Sequence, residues 1–212
     1  MEDFSKKTAE YLLQIKAIKL QPSNPFTWAS GWKSPIYCDN RRTLSFPEVR
    51  SFIRDSFSTM VNTLYPDAEI IAGVATGAIA HGVLVADKLG LPFIYVRSEA
   101  KNHGLGNQIE GHFEQGQKVV VIEDLVSTGG SSLGAVRALR EAGCKVLGMA
   151  AIFTYEFSKA TDGFKAENCA LNTLCNYGIL VDTASGSGYI GENDVQTLKM
   201  WRVDPASWGS GQ

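Results

Sequence analysis

The chain has 212 residues, of which 44% are hydrophobic and 20% are charged, and its formal net charge is −2 at pH 7. This composition is typical of a globular protein and excludes the disordered, collagen-like and coiled-coil classes. The near balance of charge gives no overall positive field for a nucleic acid or an anionic membrane, so we expect neither as a partner.

Residues 1–20 combine lysines with apolar side chains and lack the uninterrupted apolar block of a secretory signal. Their pattern predicts a helix over residues 8–18. The cysteines show neither metal-ligand nor redox spacing; they are Cys38, Cys144, Cys169 and Cys175. We therefore expect reduced thiols and a cytoplasmic location.

The segment 26–40 is rich in proline, glycine and tryptophan and predicts short strands, and a helix is predicted over 47–64. These elements are too few to bury a core of their own. We therefore expect residues 1–60 to pack on the rest of the chain as a small hood.

A last helix is predicted at 192–201, and the region 190–205 is expected to join the hood. Residues 60–185 would then form the core, and the whole chain, 1–212, a single domain.

Apolar, β-branched runs alternate with helical stretches through the core. Strands are predicted over 69–75, 93–96, 118–123, 145–153 and 170–174. Helices are predicted over 78–89 and 131–142, each followed by a glycine, the usual left-handed residue at a helix end. Continuous apolar strands separated by helices indicate an α/β fold with a mostly parallel central sheet flanked by helices.

The most specific stretch is 119–132, which reads Val-Val-Val-Ile-Glu-Asp-Leu-Val-Ser-Thr-Gly-Gly-Ser-Ser. A predicted buried strand ends in two carboxylates and passes through a hydroxyl- and glycine-rich turn into a helix. Free amides at 128–131, the hydroxyls and the positive end of the helix form a cradle for a monophosphate. Glu123 and Asp124 would repel phosphate and suit ribose hydroxyls or a magnesium shell.

A phosphate at one end and a diol at the other describe a ribose 5-phosphate. The alternative is a tight strand-to-helix turn with solvated acids. A dinucleotide site is not indicated, because the turn lacks the Gly-x-Gly-x-x-Gly pattern.

Two other glycine-containing segments can be interpreted from their residues. The turn within 73–81 follows a strand and enters a helix, which is equally consistent with structure and with anion binding; His81 inside that helix is expected to be a packed residue. The segment 97–111 alternates Arg97, Lys101 and His103 before several glycines. Such a flexible, cationic loop could close over a polyanion, and the alternative is a solvated hairpin.

The stretch 119–132 is the signature of the type I phosphoribosyltransferases, and the chain as a whole resembles the bacterial orotate phosphoribosyltransferases. Residues 26–41, Phe-Thr-Trp-Ala-Ser-Gly-Trp-Lys-Ser-Pro-Ile-Tyr-Cys-Asp-Asn-Arg, are similar to the orotate-specific hood segment of that family, and residues 97–111 to its mobile catalytic loop. The resemblance covers nearly the whole chain and implies the type I phosphoribosyltransferase fold.

The resemblance also implies a reaction and a set of site residues. Orotate and 5-phospho-α-D-ribose 1-diphosphate would give orotidine 5'-phosphate and diphosphate, in pyrimidine biosynthesis. Asp124, Lys101 and His103 would be catalytic, and Ser127 and Tyr37 would bind orotate. The residues expected to bind phosphoribosyl diphosphate are Arg97, Lys101, His103, Glu123, Asp124, Leu125, Val126, Ser127, Thr128, Gly129, Gly130 and Ser131.

No metal site built from protein ligands is expected, and Mg²⁺ would be bound mainly through the substrate diphosphate. In the family the loop at 97–111 reaches into the neighbouring subunit's site. The resemblance therefore implies a homodimer whose loops are shared between sites.

The chain lacks four basic residues that some relatives carry, at the positions of Ala29, Gly77 and Ser98 and near Tyr155. The last of these is an arginine that anchors orotate. In place of this arginine, we expect the orotate carboxylate to bind backbone amides near Tyr37 and Cys38 and the Ser127 hydroxyl.

Two other functions are considered. A purine-type phosphoribosyltransferase would not need the hood segment at 26–41. A non-catalytic regulator that senses phosphoribosyl diphosphate and binds nucleic acid would want a basic face, and the net charge of −2 argues against one.

Overall fold

The computed structural model describes residues 4–28, 30–98 and 108–208. Its strands are β1 Ile18–Leu20, β2 Phe26–Thr27, β3 Lys33–Ser34, β4 Ile36–Cys38, β5 Ile70–Val74, β6 Phe93–Val96, β7 Ile109–Glu110, β8 Lys118–Val126, β9 Lys145–Thr154 and β10 Leu171–Asn176. Its α-helices are α1 Phe4–Gln14, α2 Pro47–Leu64, α3 Ile79–Leu89, α4 Gly130–Glu141, α5 Ser158–Ala166, α6 Tyr177–Gly186 and α7 Glu192–Val203. A 3₁₀ helix spans Asn40–Ser45. Within these ranges, no helix combines the length and the apolar character needed to cross a membrane.

The central sheet has the strand order β10-β9-β8-β5-β6-β7. Its strand pairs are parallel except β6–β7, which is antiparallel. Residues 119–122 of β8 are fully buried, as expected for a parallel sheet covered by helices on its faces. The prediction of an α/β fold with a mostly parallel sheet is confirmed.

The order of the strands reverses between β5 and β8. From β5 the chain passes through α3 to β6 on one side, and from β8 it passes through α4 to β9 on the other. The carboxyl ends of two such strands leave a crevice between them, which is where ligands bind in open α/β sheets.

The N-terminal elements pack on this sheet and on the C-terminal helix. Helix α1 contacts α6 and β10, and α2 contacts α3. The buried Trp201 of α7 donates its indole N–H to the carbonyl of Lys33, at 3.2 Å. Its ring lies 5.6 Å from that of Trp28. Helix α7 therefore contacts the strands of the N-terminal segment.

Two predicted elements have wrong boundaries. The helix predicted over 8–18 is α1, which begins at Phe4 and ends at Gln14; Lys16 has a positive φ of 56° and Ile18 already begins β1. The strand predicted to end at Glu123 continues to Val126, because β9 pairs with it up to Val126↔Thr154. The two carboxylates therefore lie within a strand. Helices α5 and α6 have no counterpart among the predicted elements.

Candidate active site

A cavity of about 520 Å³ lies at the carboxyl ends of β5 and β8. Three segments line it: the turn after β5, the end of β8 with the turn into α4, and the start of the 3₁₀ helix. The residues that line it are Cys38, Asp39, Asn40, Arg41, Val74, Ala75, Thr76, Gly77, Glu123, Asp124, Leu125, Ser127, Thr128, Gly129, Gly130 and Ser131. The cavity therefore occupies the crevice where the strand order reverses.

The turn after β8, residues 127–130, brings backbone amides and hydroxyls to the cavity. Gly129 precedes α4 with φ +82°, a left-handed conformation that glycine adopts without strain. The amides of the first turn of α4 have no carbonyl partner within the helix and carry the positive end of its dipole. The turn can therefore hold an anion without a basic side chain.

Glu123 and Asp124 are neighbours on β8 but differ in environment. Glu123 is 3% exposed, and its carboxylate accepts hydrogen bonds from the Ser132 hydroxyl and the Asp124 amide, both at 2.9 Å. Burial, with the charge of Asp124 adding to it, raises the pKa of Glu123 well above its usual range. The Glu123 carboxyl group is thus held by hydrogen bonds within the chain, whereas the Asp124 carboxylate faces the turn after β5.

The turn after β5, residues 75–77, approaches Asp124 closely. A Cβ atom added at Gly77 would overlap the carboxylate of Asp124, with the Cγ atom only 2.5 Å away. Gly77 has no positive φ, so the close approach of the Asp124 carboxylate, and not the backbone conformation, is what a side chain at this position would disturb. The peptide bond between Ala75 and Thr76 in this turn is cis.

His81 does not face the cavity. It lies in α3 with 1% of its surface exposed, and its Nε2 atom is 3.2 Å from the hydroxyl of Thr43. Burial lowers its pKa to about 4, so the ring is neutral near pH 7. The expectation of a packed histidine is confirmed.

Three residues of the cavity were not predicted as site residues from the sequence: Asp39, Asn40 and Arg41. They follow β4 and begin the 3₁₀ helix. Among the described residues that line the cavity, Arg41 is the one with a cationic side chain, and its Nε donates to Asp39 at 2.7 Å. The signal in the sequence was an Asp-Asn-Arg run at the end of an otherwise apolar strand.

Other predicted site residues lie around the cavity or outside the described chain. Tyr37 is 40% exposed and packs on Phe26, adjacent to the cavity residue Cys38. Val126 is fully buried and its carbonyl accepts from the Tyr155 amide, so it does not line the cavity.

Arg97, at the start of the predicted loop, forms an ion pair with Glu110, at 3.7 Å. Its carbonyl also accepts from the side chain of Gln108, at 2.8 Å. Lys101 and His103, like Ala29, lie outside the described residues. The arrangement of the loop's cations therefore stays a prediction.

A wider groove of about 820 Å³ lies between α1 and α6. Lysines and acids alternate along it, with no convergent set of amides or carboxylates. The smaller cavity, with its amide-rich turn and acids, is the better candidate for chemistry.

The sequence was compared with known proteins. A family model for the phosphoribosyl transferase domain matches residues 46–184. The chain is 58% identical over 212 residues to the orotate phosphoribosyltransferase of Phocaeicola vulgatus, covering 100% of both chains. It is 56% identical over 202 residues to that of Bacillus caldolyticus, covering 95% of this chain and 98% of that relative. The crystal structure of orotate phosphoribosyltransferase from Aeropyrum pernix matches with a TM-score of 0.75 and 26% identity, over 86% of this chain and 99% of that one.

Proposed function

The chain belongs to the orotate phosphoribosyltransferases, and we propose that the cavity at the ends of β5 and β8 is its active site. The enzyme transfers the 5-phosphoribosyl group of phosphoribosyl diphosphate to orotate, a reaction of pyrimidine biosynthesis. The observation that carries the proposal is that the amide-rich start of α4 and the carboxylate of Asp124 open into the same cavity.

The 5'-phosphate of the substrate would bind the turn at 127–131. The amides at the start of α4 and the hydroxyls of Ser127, Thr128 and Ser131 point to a phosphate there, because the cavity brings no cation to this turn among the described residues. Leu125 lines the same side and would contact the substrate without charge.

Asp124 would face the ribose. As the bond to the diphosphate breaks, positive charge develops on the ribose ring, and a fixed carboxylate nearby lowers the energy of that state. The ring nitrogen of orotate attacks the anomeric carbon, so no protein nucleophile is required. Glu123 would reach a ribose hydroxyl only by leaving its bond to Ser132.

The diphosphate would lie toward the turn after β5, at Thr76 and Gly77. Arg41 at the edge of the cavity, together with Arg97, Lys101 and His103 of the loop, would neutralise it. The carboxylates that line the cavity repel a polyanion, so cations supplied by a closing loop have a clear electrostatic role.

Mg²⁺ fits this site as an ion held chiefly by the substrate. In the described part of the chain, no three potential metal-ligating side chains cluster, and Mg²⁺ commonly binds through one or two carboxylates and substrate phosphates. When bound, it would offset the negative charge of the leaving diphosphate. Asp39 and Asp124 are the acids of the cavity that could complete its shell.

The orotate ring would lie on the side of Tyr37 and Ser127. Near Tyr155, where some relatives have an arginine for the orotate carboxylate, this chain has Glu156, which pairs with Arg202 at 3.0 Å. The carboxylate would therefore bind the Ser127 hydroxyl and backbone amides near Tyr37 and Cys38.

The phosphate assignment is tested by Ser131→Ala, which removes a hydroxyl from the start of α4. Losing one hydrogen bond to a charged group costs about 1.5–3 kcal/mol, so KM for phosphoribosyl diphosphate should rise roughly tenfold or more while kcat changes little. Ser158→Ala is the matched control, since Ser158 also lies in the first turn of a helix but does not line the cavity. Equal KM values for the two variants would contradict the assignment.

We further propose a homodimer in which the loop at 97–111 completes the neighbouring subunit's site. Lys101→Ala and Asp124→Asn, each inactive alone, should then rescue each other when mixed. Recovery of about a quarter of wild-type activity is expected, because about half of the randomly assorted dimers are mixed and one of their two sites is intact. No recovery after confirmed subunit exchange would contradict a shared loop.

A further inference from the structure

Asn40 is a buried amide at the junction of the 3₁₀ helix and β8. It is 1% exposed, and its Nδ2 atom donates to the backbone carbonyl of Asp124 at 2.5 Å. The two residues are 84 positions apart in the chain. This bond therefore links the N-terminal segment directly to the backbone of the acid in the cavity.

This hydrogen bond lies where β5 no longer pairs with β8. β5 pairs with β8 only as far as Gly73↔Ile122, whereas β8 continues to Val126. Asp124 lies beyond that last pair. A buried carbonyl without a partner is costly, and the Asn40 side chain supplies the donor.

The orientation of the Asn40 amide follows from its other neighbour. The Cys38 thiol donates to Oδ1 of Asn40, at 3.3 Å. Oδ1 therefore accepts from Cys38 and Nδ2 is left to face Asp124.

The backbone of Asn40 is also held. The hydroxyl of Thr43, which is fully buried, donates to the Asn40 carbonyl at 2.5 Å. Since the single hydroxyl proton is used in this bond, the contact of Thr43 with Nε2 of His81 requires the neutral ring to donate. A continuous set of buried hydrogen bonds thus runs from α3 through Asn40 to Asp124.

We propose that Asn40 is a positioning residue, which fixes Asp124 for the transition state through the backbone carbonyl of Asp124. The proposal depends on the role of Asp124 in the proposed function. Asn40 holds the Asp124 backbone from the hood side, and Gly77 leaves space for its carboxylate on the other. A displacement of about 1 Å in such a group can cost about 10² in rate.

The first experiment compares Asn40→Ala with Asn172→Ala. Asn172 is a matched control because its side-chain amide also makes a partly buried hydrogen bond, to the Tyr65 hydroxyl at 2.7 Å, and does not line the cavity. Both variants should lose stability in urea. Only Asn40→Ala should lower kcat, by about tenfold or more, with KM for phosphoribosyl diphosphate within about twofold of wild type. Equal kcat in the two variants would overturn the proposal.

The second experiment uses Asn40→Asp, which keeps the shape but places an oxygen opposite the Asp124 carbonyl. The introduced carboxyl can donate only when it is protonated, and burial beside Asp124 raises its pKa. The ratio of variant to wild-type kcat should therefore increase as the pH falls from 8 toward 5. A ratio close to one across this range would show that the donor does not matter for turnover.

A double variant separates this proposal from the role of Asp124 itself. Once Asp124→Asn has removed the charge, adding Asn40→Ala should lower kcat by less than about twofold. If Asp124→Asn alone keeps wild-type turnover, the proposed role of Asp124 fails. If it loses turnover but the effects of the two changes multiply fully, only the positioning role of Asn40 is refuted.

Discussion

Two strand-to-helix turns meet at the candidate active site, and the glycine in each has a different environment. In the turn after β8, Gly129 has a φ of +82° and a Cβ there would meet Ala160 only at ordinary contact distance, 3.4 Å. In the turn after β5, Gly77 has no such φ, but a Cβ would overlap the Asp124 carboxylate. A side chain would conflict with the backbone conformation at Gly129 and with the carboxylate of a residue on a different strand at Gly77.

The two acids of β8 show the same division. Glu123 accepts a hydrogen bond from Ser132 of α4, so its carboxyl group contacts the helix that follows the turn after β8. Asp124 faces Gly77 and belongs with the turn after β5. The proposed phosphate cradle is thus a local structure of one strand, one turn and one helix, whereas the environment of Asp124 is assembled from distant segments. Changes at the two turns should accordingly affect different kinetic constants.

Of the substitutions at the two turns, Gly77→Ala should have the largest effect on kcat. The added methyl group would force the Asp124 carboxylate to move, so kcat should fall by a factor on the order of 10², while the free energy of unfolding changes by less than about 0.5 kcal/mol. Gly134→Ala is the control, because a Cβ at Gly134 in α4 meets no atom within 4 Å. Wild-type kcat in Gly77→Ala would show that Asp124 is not confined by this turn.

Gly129→Ala should act on the other turn, through the backbone. A left-handed conformation costs a residue with a side chain roughly 1–2 kcal/mol, so stability should fall and the affinity for ribose 5-phosphate should weaken. Gly116→Ala is the matched control: Gly116 has a φ of +86° and open space around it, and it does not line the cavity. Both variants should lose similar stability in urea, but only Gly129→Ala should bind ribose 5-phosphate less tightly by calorimetry.

Glu123→Gln should have a smaller effect, and it should be stabilising. Because burial raises the pKa of Glu123 in the folded state, the folded protein holds this proton more tightly than the unfolded chain, and stability is lost as the pH rises above about 4.5. Glutamine can accept from the Asp124 amide through Oε1 and donate to the Ser132 hydroxyl through Nε2, without the buried charge. The variant should be about 1 kcal/mol more stable than wild type at pH 8, and the difference should vanish toward pH 4.

The check is urea unfolding at several pH values, with Glu114→Gln as the control for an exposed glutamate. An equal gain in both variants, or a gain that does not depend on pH, would contradict the cost assigned to the buried carboxyl of Glu123.

The turn after β8, which is built from neighbouring residues, was predictable from the sequence. The hydroxyl- and glycine-rich turn after an apolar strand specifies the cradle because all its parts are neighbours in the chain. The parallel sheet was predictable for a similar reason, since continuous apolar strands and helix-ending glycines are local signals. The strand carrying the acids was predicted too short, because its last residues are fixed by pairing with β9.

The contacts that distant segments make around Asp124 were not predictable from the sequence. Nothing near Gly77 indicates that it faces Asp124, and the turn was equally consistent with a structural role. Asn40 and Arg41 likewise reach the cavity only through the packing of the N-terminal segment on the sheet. Such contacts depend on the three-dimensional arrangement and leave no spacing pattern in a single sequence.

The turnover of Asp124→Asn tests most directly whether Asp124 stabilises the ribose cation. The substitution keeps the shape of the side chain and leaves the amides and hydroxyls of the turn at 127–131 in place. We expect a loss of kcat on the order of 10² or more, measured by the change in orotate absorbance, with the affinity for ribose 5-phosphate within about twofold of wild type. Turnover close to wild type, with the variant folded, would contradict the assignment of Asp124 to the ribose cation.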